Sequence, residues 1–302
     1  MSALGKVLLI ANPSACNGAA AQATERAASL LRERLGEDAV VVARTAGPRH
    51  ACELAARAEG AQTVVALGGD GVIHEAANGL LSRPAEERPN FGIIPVGTGN
   101  DYARALGVPA DVDKAVAVLC ESAPRPTDVG CANGQHFVET LSFGVDAAIA
   151  LDTVERRVRT GRTGTAVYVE AGVDQLTHHL DKRPYTARFD GELAAGVSIT
   201  YAVQIGPYYG GGFKICPDAS LDDGQLDVCI SHPPAGPARA VLIFACAKGG
   251  KHLGFKQVEM RRCRTLHLEF EEVPPAQIDG ERIEASVFDV SVEPGALMVL
   301  RP

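Results

Sequence analysis

The sequence predicts an α/β chain in two parts: an N-terminal three-layer domain on a parallel sheet over residues 1–125, then a β-rich, antiparallel, sandwich-like domain over 126–302. Three observations predict it. Strand-like and helix-like segments alternate through the first 125 residues, the rhythm of a parallel sheet with right-handed crossovers. Two glycine-rich turns, "LGGDG" at 67–71 and "VGTGND" at 96–101, each follow an apolar strand and open a helix. Beyond Pro126 the apolar spacing shifts to period two, punctuated by the hairpin signals "ANGQ", "FDGE", "LDDGQ" and "IDGE".

Each element has a local cause. "KVLLIANP" reads as the first strand, and "GAAAQATERAASLLRERLG" as an alanine-rich helix that Gly36 stops. "VVVAR" is the second strand. "PRHACELAARAEG" follows as a helix, with Ala51, Leu54, Ala55 and Ala58 on one face. "TVVAL" runs into the first glycine turn and a helix with Ile73, Ala76, Ala77, Leu80 and Leu81 in register. "FGIIP" is the fourth strand, the second glycine turn opens another helix, and Asp111 caps one whose apolar face is Ala115, Val118 and Leu119. In the second part, two helical stretches, roughly 147–180 and 237–250, interrupt the strands.

Composition narrows the function. At 302 residues and 46% hydrophobic the chain can bury a real core. A formal net charge of -8 offers no basic surplus for nucleic acid or for strong attraction to anionic lipid headgroups. The eight cysteines are scattered without metal spacing and read as buried thiols in a reducing cytosol. No apolar run is long enough to be a transmembrane segment.

The glycine turns carry the chemistry. Glycines at a strand's carboxyl end expose backbone N–H groups, and a helix amino terminus adds partial positive charge, so the arrangement suits phosphate. One such turn could equally be an ordinary strand-to-helix connection with Asp70 as its N-cap. The second turn repeats the design with Thr98, Asn100 and Asp101, and two of them in one parallel sheet can hold one polyphosphate from two sides. The pattern is neither a Walker A loop nor G-x-G-x-x-G.

"GGDGVIHEAANGL" and "PVGTGNDYARAL" resemble the two signature blocks of the diacylglycerol kinase catalytic-domain family, in its bacterial lipid-kinase branch, related to sphingosine kinases and NAD kinases. The resemblance continues through "ANP", "SFGVDA", "ASLDDGQLDV", "GGKH" and "QIDGE", in order along nearly the whole chain. It implies an active site in the cleft between a nucleotide domain and a β-rich lipid-acceptor domain. It also implies ATP as phosphoryl donor, Mg²⁺, a diacylglycerol-like lipid acceptor at a membrane surface, and a role in phospholipid biosynthesis. The location it implies is cytoplasmic, peripheral at the inner face of the membrane; a homodimer stays open.

Carried over by residue, Asn12, Pro13, Ser14, Ala15 and Cys16 would form the first phosphate-side loop, and Thr45 would lie near the nucleotide. Gly68, Gly69, Asp70, Gly71, Val72, Ile73 and His74 would cradle the phosphates, and Thr98 would contact the nucleotide from the second turn. Asp70 would also hold Mg²⁺ through water. Asp223 by its side chain, with Ser220 and Gln225 by backbone carbonyls, would form a structural Mg²⁺ loop. "QIDGE" would make Glu281 the general base; by pattern alone, Glu192 of "FDGE" has the same letters. The chain departs from the family at Val72, where threonine is frequent, at Cys16, where glycine is usual, and at His74, where asparagine is commoner. His178 and His179 read as the solvated end of a helix, "YYGGGF" as a loop or an acceptor mouth, and Lys251-His252 as facing phosphate, membrane or neither. The competing readings are a soluble-substrate kinase of the NAD kinase type and a non-catalytic nucleotide or lipid sensor.

Overall fold

A computed structural model of the chain describes residues 4–13, 19–162, 164–233 and 236–302. The chain divides into two compact units, Met1–Asp128 with Pro294–Pro302, and Val129–Glu293.

In the first unit, β1 (Val7–Ala11), α1 (Ala19–Leu35), β2 (Val40–Arg44), α2 (His50–Ala56), β3 (Thr63–Gly68), α3 (Asp70–Leu81) and β4 (Asn90–Pro95) alternate, followed by α4 (Asp101–Ala105) and α5 (Val112–Glu121). The four strands pair in parallel in the order β2-β1-β3-β4. β3 is buried from end to end, as a strand covered on both faces must be. Right-handed crossovers from β1 leftward to β2 and rightward through β3 to β4 require helices on opposite faces. Accordingly α1 packs with α5 and α2 with α3, giving three layers. The α2–α3 contact is close because of Gly79: a Cβ there would come within 2.2 Å of the Cys52 carbonyl oxygen. Asp111 caps α5 by accepting the Lys114 N–H at 3.0 Å. The last residues of the chain return to this sheet, with Val299 beside Phe91 of β4.

The second unit is β-rich and antiparallel. One sheet runs β14 (Val258–Cys263), β13 (Leu226–Ser231), β10 (Thr200–Gln204), β7 (Thr140–Gly144), β16 (Ala276–Ile278) and β17 (Glu281–Arg282). Facing it are β18 (Val287–Leu300, which ends in the first unit), β15 (Thr265–Phe270), β8 (Arg183–Phe189) and β9 (Glu192–Ser198). The hairpin of β5 (Pro124–Ala132) and β6 (Gln135–Phe137) joins β18. The core between the sheets is aromatic: Phe143 meets Phe288 edge-on at 4.6 Å and Tyr201 meets Tyr185 at 5.2 Å, which makes the unit a sandwich.

Three helices, α6 (Val145–Thr160), α7 (Thr165–His178) and α8 (Pro237–Ala247), complete the unit. The helical pattern over 147–180 is broken because Gly161 and Gly164 take positive φ, 67° and 99°. "LDDGQ" forms a turn leading into β13 rather than a two-stranded hairpin, because no strand precedes it. "YYGGGF" is a small hairpin of β11 (Tyr208–Tyr209) and β12 (Phe213–Lys214). The expectation of buried thiols is met at Cys216, Cys229 and Cys263 but not at the half-buried Cys52, Cys120, Cys131 and Cys246. No helix among the described residues is long and apolar enough to cross a membrane.

Candidate active site

In the first unit the strand order reverses direction between β1 and β3, and in open parallel sheets ligands bind outside the carboxyl ends of the strands at such a switch point. The predicted phosphate-side residues follow those ends. Asn12 leaves β1 with its N–H on the Leu67 carbonyl at 3.3 Å, and Thr45 leaves β2 with its N–H on the Ala11 carbonyl at 2.9 Å. Gly69 and Asp70 leave β3, and the Val96 N–H, at the end of β4, bonds the Gly68 carbonyl at 2.8 Å. Pro13 is half-buried beside Asn12; Ser14, Ala15 and Cys16 lie outside the described residues.

The two glycine turns are packed against each other, backbone to backbone. A Cβ on Gly97 would sit 2.5 Å from the Gly69 Cα, and one on Gly99 would sit 2.7 Å from Asp70 Oδ2. Gly68 likewise makes room for Val72, whose side chain would be 2.9 Å from a Cβ there. Gly97 and Gly99 are required by the packing of the turns on one another, and Gly68 by the Val72 side chain. Gly71 differs: it is exposed, and nothing lies within 4 Å of where its Cβ would be. Thr98 is also exposed.

Asp70 joins the turns. The N-cap of α3 is Gly69, and Asp70 is the first helical residue. Its carboxylate accepts the N–H of Asn100 through Oδ2 and that of Asp101 through Oδ1, both at 2.9 Å. Charge-assisted bonds of this kind are about twice as strong as neutral ones. Asn100, in the left-handed region at φ 53°, closes its own turn by accepting the Gly97 N–H at 2.8 Å and donating to the Gly97 carbonyl at 3.0 Å. The motif "GTGND" displayed Asn100, but its closing role was not legible because it depends on a left-handed backbone. Further along α3, Ile73 and His74 are buried, and the Val72 and Ile73 N–H groups bond the Gly69 carbonyl. The His74 ring lies against the Asn78 amide, 3.4 Å from Nε2.

In the second unit, the Gln225 N–H donates to Asp223 Oδ1 at 3.1 Å, and Ser220 Oγ bonds Asp222. The Arg262 guanidinium pairs with Asp223 and, at 3.1 Å, with Asp227. Burial raises the Asp227 carboxyl above its usual range, with Arg262 opposing. Its Oδ2 is buried with no hydrogen-bond partner among the described residues. Carboxylate and hydroxyl oxygens of this kind fit a hard cation, and such a cation must compete with Arg262 for Asp223.

Glu281 stands exposed on the β16–β17 hairpin. The turn beneath it is rigidly tied: Asp279 accepts the N–H groups of Val138, Glu139 and Thr140 at 2.8–3.1 Å. Buried Gln277 accepts the Gly280 N–H at 2.6 Å and donates to Ser142 Oγ at 2.7 Å.

The second unit also has a partly open cavity of about 70 Å³. Ile149, Tyr168, Leu176, Phe213, Ile243 and Phe244 supply apolar wall. Tyr209 and Phe213 of the "YYGGGF" hairpin line it, and so does His252, which is buried rather than facing solvent. The His252 Nε2–H donates to the Ile215 carbonyl at 3.0 Å, and Nδ1 has no partner among the described residues. Asp146 lines the same cavity with Oδ2 likewise unpartnered. Burial pushes its carboxyl up to about 7, a bond from Ser142 offsetting part of the shift. The signal in the sequence was a lone carboxyl within the apolar run "SFGVDAAIA".

Comparison with known proteins fits this arrangement. Residues 6–132 match the diacylglycerol kinase catalytic domain, and residues 139–301 match the YegS C-terminal NAD kinase beta sandwich-like domain. A diacylglycerol kinase of Bacillus subtilis is 33% identical over 72% of this chain and 70% of its own length. One from Mycobacterium tuberculosis is 32% identical over 99% of this chain and 96% of its own. In fold, the crystal structure of a diacylglycerol kinase from Bacillus anthracis superposes with TM-score 0.76 at 23% identity, covering 99% of this chain and 97% of that one. On these matches the chain belongs to the diacylglycerol kinase catalytic-domain family and is a kinase of that superfamily.

Proposed function

We propose that the protein is an ATP- and Mg²⁺-dependent lipid kinase that transfers the γ-phosphate of ATP to a hydroxyl of a diacylglycerol-like lipid, in phospholipid biosynthesis. The observation that carries the lipid reading is the apolar cavity of the second unit. An acyl chain entering it gains about 0.8 kcal/mol per buried methylene. A carboxyl raised to about 7 is protonated in a sizeable fraction of molecules near neutral pH, and in that form it can donate, so Asp146 offers a donor and His252 Nδ1 an acceptor inside an apolar wall. That combination suits an amphiphile with few polar atoms better than a dinucleotide.

In this reading Asn12, Pro13, Thr45, Gly68 to His74 and Thr98 surround the nucleotide, with Gly71 and Thr98 as the open approach. The contribution of Ile73 and His74 is to seat the helix amino terminus in the core. Mg²⁺ when bound supplies charge neutralisation on the phosphates. Asp70 would hold it through water while keeping the two turns together, and Asp223 with the Ser220 and Gln225 carbonyls would hold a second, structural ion. Glu281 accepts the proton of the lipid hydroxyl as its oxygen bonds to the γ-phosphorus and the bond to the ADP oxygen breaks. Such proton transfer contributes typically 10²–10⁴-fold, with positioning supplying the larger share.

The test is transfer of label from γ-labelled ATP to a lipid panel of graded acyl length, with NAD as a parallel acceptor. Label should enter a diacylglycerol-class lipid, depend on Mg²⁺, and fall as the acyl chains shorten. Label in NAD with none in lipid would replace the lipid reading with an NAD kinase one. ATP binding with no transfer to any acceptor would leave the non-catalytic sensor.

A further inference from the structure

Away from these sites, three side chains of different chemistry converge on one surface of the second unit. Cys131 of β5 stands directly opposite His136 of β6 in the antiparallel ladder, so their side chains share a face. Glu293 lies on β18, which pairs with β5. The His136 Nε2 to Glu293 Oε1 distance is 3.3 Å, and the three ligating atoms of Cys131, His136 and Glu293 all lie within 4.8 Å of one another. All three are half-buried: His136 keeps 22% of its side chain exposed and Glu293 41%. An ion can reach them from solvent.

We propose that Cys131, His136 and Glu293 form a binding site for a divalent transition metal of the zinc class. Donor atoms held 2.0–2.3 Å from a tetrahedral ion are roughly 3.3–3.8 Å apart, so the His–Glu pair already has the required spacing. The thiol closes the remainder by a small side-chain adjustment. A thiolate, an imidazole and a carboxylate select a borderline-soft ion over Mg²⁺ or Ca²⁺. This separates the site from the all-oxygen loop around Asp223. Three protein ligands leave the fourth position to water. Binding exchanges the thiol proton for the metal and releases that proton to solvent, so affinity rises with pH. The thiol pKa is raised by burial and further by Glu293, against a backbone bond from Gly134.

The test uses the full chain and Co²⁺ as a spectroscopic stand-in for Zn²⁺. Titration should give a thiolate-to-cobalt charge-transfer band saturating near one equivalent and bleached by Zn²⁺. Cys131→Ser should abolish the band, and Glu293→Gln, a partly exposed change that leaves the strand intact, should weaken Co²⁺ binding about tenfold or more. Each variant is checked by circular dichroism without metal. An unchanged band in Cys131→Ser would move the metal to another cysteine and overturn the proposal. So would Glu293→Gln binding Co²⁺ as tightly as the parent, or a parent chain with no band at millimolar Co²⁺.

Discussion

Two hairpins of the second unit, β8–β9 and β16–β17, carry the same letters, Asp-Gly-Glu, and almost the same backbone. Asp190 and Asp279 take φ 48° and 45°, and Gly191 and Gly280 take 91° and 92°, the left-handed pair of a type I′ turn. Both aspartates reach back to main-chain N–H groups where a neighbouring strand begins. Asp190 accepts from Arg264 and Thr265, and Asp279 from Val138, Glu139 and Thr140. The glutamates diverge. Glu192 lies 3.5 Å from Arg261 at a sheet edge, whereas the Glu281 side chain is exposed with no hydrogen bond or ion pair among the described residues. The shared letters therefore encode a turn and its anchor, and any chemistry has to be read from what the glutamate meets.

The largest expected difference is catalytic. Glu281→Gln keeps shape and removes the basic oxygen, so lipid phosphorylation should fall by roughly 10²-fold or more while ATP affinity stays near that of the parent. Glu192→Gln loses only a surface ion pair and should leave both unchanged. Steady-state kinetics of the two variants decide between the hairpins. An inactive Glu192→Gln beside an active Glu281→Gln would transfer the base to the other turn.

The aspartates should differ in stability. Val138, Glu139 and Thr140 are all buried, so Asp279→Ala strands their N–H groups away from water, at about 1–3 kcal/mol for a buried orphan donor. Arg264 and Thr265 are exposed, so after Asp190→Ala their N–H groups rehydrate and the loss should be about 1 kcal/mol or less. Urea midpoints at pH 7 measure both. Equal losses would mean that burial is not what distinguishes the two anchors.

These contrasts mark what the sequence could show. Alternation of strand and helix, Gly36, the Asp111 cap and the Asp-Gly hairpins are local signals, and the folded elements follow them. The return of Val299 to β4 was not legible, because one parallel pairing across some 200 residues leaves no local period. The bonds from Asp70 to Asn100 and Asp101 were hidden for a related reason: a carboxylate at a helix start looks like a cap until its partners are known. Nor could composition show that Arg262 pairs with both Asp223 and Asp227, or that the Asp146 carboxyl lines an apolar cavity. Side-chain partners distant in sequence decide those roles, and pattern carries no record of them.

The smallest expected effect tests whether charge holds the Asp190 anchor. Burial works to raise the Asp190 carboxyl pKa, but the N–H groups of Thr265 and Arg264, with the Thr265 hydroxyl, outweigh it and hold the pKa below its usual value. A carboxyl whose folded pKa is depressed stabilises the fold fully above its unfolded pKa, about 3.9. That contribution is lost as pH falls through the lower, folded pKa. Because the group is exposed, solvent screening limits the contribution to roughly a few tenths of a kcal/mol. Asp190→Asn keeps one acceptor oxygen and removes the charge, so the parent chain should be slightly the more stable at pH 6. The gap should close as the parent carboxyl takes its proton below pH 4. Urea midpoints of the two chains at pH 6 and at the lowest pH where both still fold measure it. A gap that persists unchanged on acidification would show that the number of acceptor oxygens, and not their charge, holds this turn to its neighbouring strand.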